Sequence, residues 1–247
     1  MDIRNYLDST YLKTPQQAGL STIENTKIVE KFVQEAIDEH FKLIMVRPNQ
    51  VILAREMILA ARSKVSIGTV ISFPEGTNTL EEKLAEAQKA IDDGADDLDF
   101  VCNYRAFIEG DLETVKTEVL QGTQLGLQHN KIVKWIIEVA ALNEKQIIQL
   151  CSLIKKIVLS NFKEEFYDHV YVKSSTGFYV TEADVPNGAT IPAIIMMLEN
   201  ASPLSIKAAG GVRTYEDAVQ MIKLGVKRIG TSSALSLSSG DHSESEY

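Results

Sequence analysis

Short apolar runs alternate with amphipathic stretches along most of the chain. After residue 40, seven runs rich in branched residues each precede a stretch with apolar residues at helical spacing, which predicts a strand followed by a helix. The seven runs cover residues 42–46, 65–73, 98–102, 132–139, 169–172, 204–206 and 226–229. Residues 6–12, which precede a predicted helix over 24–39, make an eighth strand.

Two of the predicted helices have clear boundaries in the sequence. Thr79 and Glu82 form a capping box at the start of a helix over 79–93, and Gly94 ends it. Asn143 begins a similar helix over 143–159. Each of these helices follows a predicted strand, so the chain alternates between the two kinds of element.

Alternating strands and helices imply a parallel sheet with right-handed crossovers. Eight such units in 247 residues average about 31 residues each, which matches a TIM barrel of typically ~250 residues. The alternative is a doubly wound open sheet, but residues 46–49 are not the glycine-rich turn that it would need. We expect an α/β fold with a single TIM (β/α)8 barrel domain over residues 1–235 and a polar, flexible tail over 236–247.

Composition narrows the function classes. A net charge of −9 with no long basic run argues against nucleic-acid and membrane partners. The two cysteines lack the spacing of a disulfide framework, and the four histidines are scattered, so no metal site is expected. The N-terminus has no apolar signal segment, and the longest apolar run, 191–198, is far shorter than the ~20 residues of a membrane span. We therefore expect a cytoplasmic protein.

Two lysines come at the ends of neighbouring predicted strands, Lys173 after the sixth and Lys207 after the seventh. In a barrel these ends form the face that carries the active site. Lysines at this position also extend into solvent with no further role, which is the alternative. A second cation and partial burial both lower the pKa of a lysine, and a neutral amine forms Schiff bases with carbonyl substrates.

Acidic residues accompany these lysines. Asp97, Asp99 and Val101 share one face of the fourth predicted strand. A carboxylate buried there, such as Asp99, needs a cationic partner or a catalytic role, and the two are compatible because an Asp–Lys pair can relay protons. Lys134 and Glu138 share a face of the fifth predicted strand, where a structural salt bridge is the favoured interpretation.

Two glycine-containing turns follow the last two predicted strands, over residues 210–213 and 230–233. In many barrels the loops at these two places hold a phosphate, because glycines let backbone N–H groups approach the anion. The serine hydroxyls at 232 and 233 add donors. Ordinary turns are the alternative, but the pair of turns favours a phosphate site.

Several segments resemble the deoxyribose-phosphate aldolases, the class I aldolases with a TIM barrel. The resemblance runs from about residue 3 to residue 235. It is carried by residues 8–13, 70–76 and 94–99, and most specifically by Lys-Ser-Ser-Thr-Gly-Phe at 173–178 and Lys-Ala-Ala-Gly-Gly-Val-Arg at 207–213. The residues Met45, Arg47, Ser72 and Glu75 depart from those common in the family.

The resemblance implies reversible cleavage of 2-deoxy-D-ribose 5-phosphate to D-glyceraldehyde 3-phosphate and acetaldehyde, without metal or cofactor. It implies that Lys173 forms the Schiff base, that Lys207 tunes it and that Asp99 is the acid/base. The positions implied to lie near the substrate and its phosphate are Gly177, Gly210, Gly211, Ser232, Ser233, Asp8 and Thr10. Some members also end in a tyrosine that reaches the active site, so Tyr247 is either a contributor or part of a tail without a role.

Two other functions stay open at this point. One is a barrel isomerase that acts on a sugar phosphate with a pair of carboxylates and no Schiff base. The other is a barrel that binds a phosphorylated metabolite without catalysis. The sequence leaves open whether the chain forms a homo-oligomer.

Overall fold

The computed structural model describes residues 1–182 and 186–239, and within them eight parallel strands close into a barrel in chain order. The strands are β1 Leu7–Thr10, β2 Leu43–Val46, β3 Ser66–Ile71, β4 Asp97–Val101, β5 Ile132–Ile136, β6 Val170–Lys173, β7 Ser205–Ala209 and β8 Arg228–Thr231. Closure between β1 and β8 excludes the open sheet and confirms the predicted TIM barrel.

The α-helices surround this barrel. They are α1 Pro15–Ala18, α2 Thr22–Asp38, α3 Val51–Ala60, α4 Leu80–Asp93, α5 Tyr104–Glu109, α6 Leu112–Gln128, α7 Glu144–Asn161, α8 Ile191–Ala201, α9 Tyr215–Leu224 and α10 Ala234–Ser239. The predicted boundaries hold at α4, where Thr79 and Glu82 form the capping box and Gly94 has the left-handed φ of 110° that ends the helix. Asn143 caps α7.

Three strand boundaries differ from the prediction. Strand β7 extends to Ala209, so Lys207 lies within the strand and not at its end, because the alanines that follow it carry no β-branched signal. Strand β8 includes Gly230 and Thr231, which the sequence placed in a turn. Strand β5 ends at Ile136, and Glu138 beyond it has a left-handed backbone with φ of 54°, so Glu138 does not share a strand face with Lys134.

Helix α6 packs closely against the barrel wall at β5, next to the strand β4 that carries Asp97 and Asp99. A Cβ on Gly126 would lie 2.2 Å from Val133 Cγ2, and one on Gly122 would lie 2.9 Å from the Trp135 ring. The Trp135 indole N–H donates to Thr123 Oγ1 at 3.0 Å. Because the two glycines lack side chains, α6 lies directly against β5.

The inside of the barrel has an apolar part and a charged part. The apolar part, contributed by β2 and β3 with the loop after β1, consists of Leu12, Leu43, Met45 and Val70. The charged part comes from β1 and from β4 to β8 and is described below. Each charged side chain there faces others across the barrel, not solvent.

The C-terminal end of the described chain is helical. Residues 236–239, the first of the predicted tail, continue α10, and Leu237 is buried. Tyr247 lies outside the described residues, so its contribution stays a prediction. No helix in the described part of the chain is both long and apolar enough to span a membrane.

Candidate active site

Strand register places the two predicted lysines side by side. Lys173 on β6 is the direct partner of Lys207 on β7, and Lys207 is in turn the partner of Arg228 on β8. Next to β6, Asp99 on β4 is the partner of Lys134 on β5. Residues in register point to the same face of a sheet, so basic side chains from the four adjacent strands β5 to β8 meet the carboxylates of β4 inside the barrel.

Asp99 joins the two lysines. Its Oδ2 accepts hydrogen bonds from Lys173 Nζ at 2.8 Å and from Lys207 Nζ at 2.9 Å. Its Oδ1 accepts from Lys134 Nζ at 2.9 Å. The side chain of Asp99 is fully buried. Because both lysine nitrogens bond the same oxygen, they lie within the ~4–6 Å over which a like charge shifts a pKa.

Four further ion pairs lie deeper in the barrel. Asp8 Oδ2 lies 2.6 Å from Lys207 Nζ, and Asp8 Oδ1 lies 2.6 Å from an Arg228 nitrogen. Asp97 Oδ2 lies 2.5 Å from Lys134 Nζ and 3.4 Å from Arg228. We call Asp8, Asp97, Lys134 and Arg228 the deep layer. The sequence favoured a salt bridge between Lys134 and Glu138. In the structure Lys134 pairs with Asp97 and Asp99 instead.

The charges of these groups nearly balance. Among the described residues, the cluster contains three carboxylates and four basic groups: Asp8, Asp97, Asp99, Lys134, Lys173, Lys207 and Arg228. Burial opposes ionisation of Asp99, but its lysine neighbours outweigh burial and hold its pKa well below the ordinary range. Arg228 has a raised pKa, because Asp8 and Asp97 outweigh its burial. One positive charge is therefore in excess when every group is ionised.

Among these cations, Lys173 has a lowered pKa and so gives up its charge most readily. Lys134 and Lys207 each contact two carboxylates, whereas Lys173 contacts one among the described residues, that of Asp99. Burial lowers the pKa of Lys173 to about 8, Asp99 opposes the change, and the Lys207 ammonium adds to it. The sequence analysis named a second cation and partial burial together as causes. In the structure burial is the larger cause, and Lys207 is the second one that lowers the pKa.

A cavity of about 740 Å³ opens above Lys173 at the C-terminal face of the barrel. Its walls include Lys173 and six of the residues predicted to contact substrate: Thr10, Gly177, Gly210, Gly211, Ser232 and Ser233. Asp8 is not on the wall but below it, against Lys207. None of the described lining residues is acidic, and Arg213 adds a positive charge. This lining is suited to an anion.

Glu138 organises the loop after β6. Its carboxylate accepts hydrogen bonds from the Ser175 hydroxyl at 2.6 Å and from the Thr176 N–H at 3.1 Å, and also bonds the Thr176 hydroxyl. The Ser175 and Thr176 oxygens accept in turn from the N–H groups of Gly177 and Phe178, both at 3.0 Å. The loop that lines the cavity is thus held from behind by one buried carboxylate.

The loops after β6 and β7 also contact each other through glycines. Gly188 packs so closely that a Cβ there would lie 2.7 Å from Gly210 O, and the Ala189 N–H donates to that same oxygen at 2.8 Å. Gly210 has φ of 82°, and a Cβ on it would lie 2.8 Å from Asn187 O. Both positions therefore need glycine.

The four residues that depart from those common in the family lie on β2 and in the loops after β2 and β3. Arg47 donates from Nε to Leu12 O at 2.7 Å and lies 4.8 Å from the Phe73 ring centroid. Met45 is buried beside Gly68. The two remaining departures lie on the loop after β3, where Ser72 donates its N–H to Glu86 and Glu75 pairs with Arg105. None of the four lines the cavity or contacts the charged cluster.

Some residues of the site were missed in the sequence. Arg228 lies within the predicted run 226–229, and a charged residue inside an apolar strand was the available signal. Arg213 lies in the glycine-containing turn over residues 210–213, but the sequence pattern did not indicate that it contacts substrate. No group of three or more histidine, cysteine or acidic residues in the described ranges is placed to hold a metal ion.

The chain is similar in sequence to known deoxyribose-phosphate aldolases. The chain is 36% identical over 241 residues to a deoxyribose-phosphate aldolase of Thermococcus gammatolerans, covering 97% of this chain and 96% of the relative. It is 34% identical over 248 residues to one of Streptococcus suis, with both chains covered in full. The chain belongs to the deoxyribose-phosphate aldolase family. As the resemblance implied, this protein is an enzyme of the lyase class. No protein-family model matches it.

Solved structures agree with the assignment to this aldolase family. The fold superimposes on that of "QR15, an aldolase" with a TM-score of 0.78 at 30% identity, covering 97% of this chain and 95% of the other. It also superimposes on a tetrameric deoxyribose-phosphate aldolase from Aeropyrum pernix, with a TM-score of 0.75 at 28% identity over 96% and 89% of the two chains. The likeness extends over the whole barrel.

Proposed function

We propose that the enzyme cleaves 2-deoxy-D-ribose 5-phosphate reversibly to D-glyceraldehyde 3-phosphate and acetaldehyde through a Schiff base on Lys173. The observation that carries this proposal is the buried Lys173–Asp99–Lys207 contact below a cavity without acidic lining among its described residues. It joins an amine of lowered pKa to a site for an anionic substrate. No other basic group of the cluster lines the cavity.

The first half of the reaction forms the iminium. Neutral Lys173 attacks the C1 aldehyde of the open-chain sugar, and the oxygen takes a proton to give a carbinolamine. Asp99 bonds the nitrogens of both Lys173 and Lys207, so the protons of these steps move along the Lys207–Asp99–Lys173 contact. Loss of the hydroxyl as water leaves the protonated Schiff base.

The second half breaks the carbon–carbon bond. The C3 hydroxyl gives up its proton, and the electrons of the C2–C3 bond move to the iminium nitrogen, which releases the triose phosphate and leaves an enamine. The enamine is protonated at C2, and water hydrolyses the resulting iminium to acetaldehyde and free Lys173. Asp99 contacts both lysine nitrogens and is placed to exchange these protons through a water.

The phosphate binds in this proposal at the loops after β6, β7 and β8. Gly177, Gly210 and Gly211 expose backbone there, and Ser232 and Ser233 add hydroxyls. Binding a part of the substrate that does not react orients C1 toward Lys173.

Borohydride reduction with substrate tests the nucleophile. We expect a stable adduct that peptide mapping places on Lys173, and we expect Lys173→Arg to abolish both the adduct and triose phosphate release in a coupled assay. An adduct on Lys207 would reverse the roles assigned to the two lysines. Consumption of the sugar phosphate with neither triose phosphate release nor a reducible adduct would favour the isomerase chemistry instead.

We propose in addition that the chain assembles with copies of itself. The tetrameric Aeropyrum pernix relative supports this, as do the exposed side chains of Ile23 on α2 and of Ile52 and Leu59 on α3. Light scattering after gel filtration should give a mass at least twice the 27.4 kDa of one chain. A mass of one chain at micromolar concentration would contradict it.

A further inference from the structure

Asp97 and Arg228 are buried charges that do not touch the cavity. Asp97 lies at the first position of β4, two residues below Asp99, and Arg228 lies at the first position of β8. Arg228 Nε donates to Asp8 Oδ1 at 2.7 Å and the same guanidinium reaches Asp97. Neither residue lines the cavity above Lys173. The proposed reaction therefore gives them no direct contact with substrate.

We propose that Asp97 and Arg228 are positioning residues of the reaction, which act through Asp99 and Asp8 to set the charge balance around Lys173 and so keep its amine available as the nucleophile. This inference rests on the proposed function, because it concerns the amine that forms the Schiff base.

Stability alone does not explain charges at this depth. Burying an ion pair requires the removal of both charges from water, and an apolar replacement of similar volume is often as stable or more stable. The same barrel shows that apolar filling works, because β2 and β3 contribute Leu43, Met45 and Val70 to its interior. The charged part therefore has a role other than filling the interior of the barrel.

The charges connect the deep layer to Lys173 through carboxylates. Asp97 shares Lys134 with Asp99, and Asp99 bonds Lys173. Arg228 shares Asp8 with Lys207, and Lys207 bonds the same Asp99 oxygen as Lys173. A change of one charge in the deep layer thus changes how strongly the remaining carboxylates attract a proton onto Lys173.

Six strands contribute ionisable side chains to this cluster. Among the described residues, the ionisable groups that face the cluster are Asp8 from β1, Asp97 and Asp99 from β4, Lys134 from β5, Tyr171 and Lys173 from β6, Lys207 from β7 and Arg228 from β8. Arg228 is the cation that does not release its proton, because a guanidinium stays charged at any working pH. With Arg228 fixed, three cations balance three carboxylates when Lys173 is neutral.

Two variants that each remove one charge give opposite expectations. Asp97→Asn removes a negative charge, so the limb of the pH–rate profile that reports deprotonation of Lys173 moves to lower pH. Arg228→Gln removes a positive charge, so that limb moves to higher pH. Each of these charges lies one contact away from the Asp99–Lys173 pair, so we expect the limb to move by about one pH unit. At a fixed pH on the limb, this movement changes the rate about tenfold.

The measurement is kcat/KM against pH for release of triose phosphate, because this ratio reports the free enzyme. The double variant with both substitutions has the wild-type charge balance, and its limb should return toward the wild-type position. If Arg228→Gln alone fails to fold because Asp8 and Asp97 have one cation fewer, the double variant still gives a result, since it also removes the Asp97 charge.

Glu118→Gln is the matched control for Asp97→Asn. Glu118 is a buried carboxylate paired with Lys83, but on α6 outside the barrel wall. Its loss should reduce the stability of the fold and leave the limb unmoved. Limbs of Asp97→Asn and Arg228→Gln that move in the same direction, or that stay with the control, would overturn the inference.

Borohydride trapping distinguishes a failure of the inference about Asp97 and Arg228 from a failure of the proposed function. The wild-type enzyme should give the Lys173 adduct at every pH on the plateau of the profile. If the adduct forms and neither variant moves the limb, only the role of the deep layer is refuted. If no adduct forms on Lys173, the proposed function itself is wrong.

Discussion

Replacing Lys207 by methionine removes the cation that Asp8 and Asp99 share. Lys207 Nζ lies 2.6 Å from Asp8 and 2.9 Å from Asp99, and methionine keeps most of the volume without the charge. The two carboxylates then have one positive charge fewer around them. Because Lys173 already bonds Asp99, it is the nearest amine that can restore the balance by taking up a proton.

The size of the effect follows from the contact with the shared oxygen. At an effective dielectric constant near 20, a unit charge at ~5 Å contributes about 3 kcal/mol, which is about two pH units. With the pKa of Lys173 at about 8, about a quarter of the amine is neutral at pH 7.5. A rise of two pH units reduces the neutral fraction by about 80-fold at that pH.

The assay is kcat/KM against pH between 6 and 10, with the amount of borohydride-trapped enzyme measured at the same pH values. In the wild type both should rise with pH and level off above about 8, because Lys173 loses its proton there. In Lys207→Met the rise should lie about two pH units higher.

Lys83→Met is the matched control, since Lys83 is also a buried lysine but pairs with Glu118 outside the barrel wall. It should lower the melting temperature without moving the profile. If Lys207→Met lowers activity equally at all pH values, or if its profile moves to lower pH, Lys207 does not tune Lys173.

Two glycine contacts give further tests. Gly210→Ala places a Cβ 2.8 Å from Asn187 O at a φ of 82°, so KM for the phosphorylated sugar should rise at least about tenfold, while kcat/KM for unphosphorylated 2-deoxyribose changes little. Gly211→Ala, with a similar φ of 83° but its nearest contact at 3.6 Å, should change KM much less; equal effects would refute the steric explanation. Gly126→Ala places a Cβ 2.2 Å from Val133 Cγ2, and the free energy of unfolding in urea should fall by about 1–3 kcal/mol. Val133→Ala in the same chain should recover part of that loss, and strictly additive losses would contradict it.

The barrel and the meeting of the two lysines were predictable for the same reason. Alternation of strands and helices specifies parallel neighbours, and in a closed barrel the sixth and seventh strands are adjacent. Lys173 and Lys207 therefore had to be near each other, and the observed register makes them direct partners. Their pairing required no knowledge of side-chain geometry.

The depth of each side chain in the barrel was not predictable. Depth depends on where hydrogen bonding ends a strand and on how strands shift against each other around the barrel, and apolar patterns contain neither. Lys207 lies within β7 because two alanines continue the strand. For the same reason Asp8, expected at the substrate, lies below the cavity, where closure of β1 onto β8 brings it to Arg228.

The charge balance that frees Lys173 also acts later in the proposed reaction. An iminium puts a positive charge back on the same nitrogen, beside Lys207 and inside a cluster that is neutral without it. That charge disappears when the C2–C3 electrons reach the nitrogen and the enamine forms. A group whose interactions disfavour the charged intermediate relative to the enamine favours bond cleavage, which is differential stabilisation along the reaction. Lys207→Met should therefore lower kcat even at a pH where Lys173 is fully neutral, and full recovery of kcat at high pH would limit Lys207 to the first step.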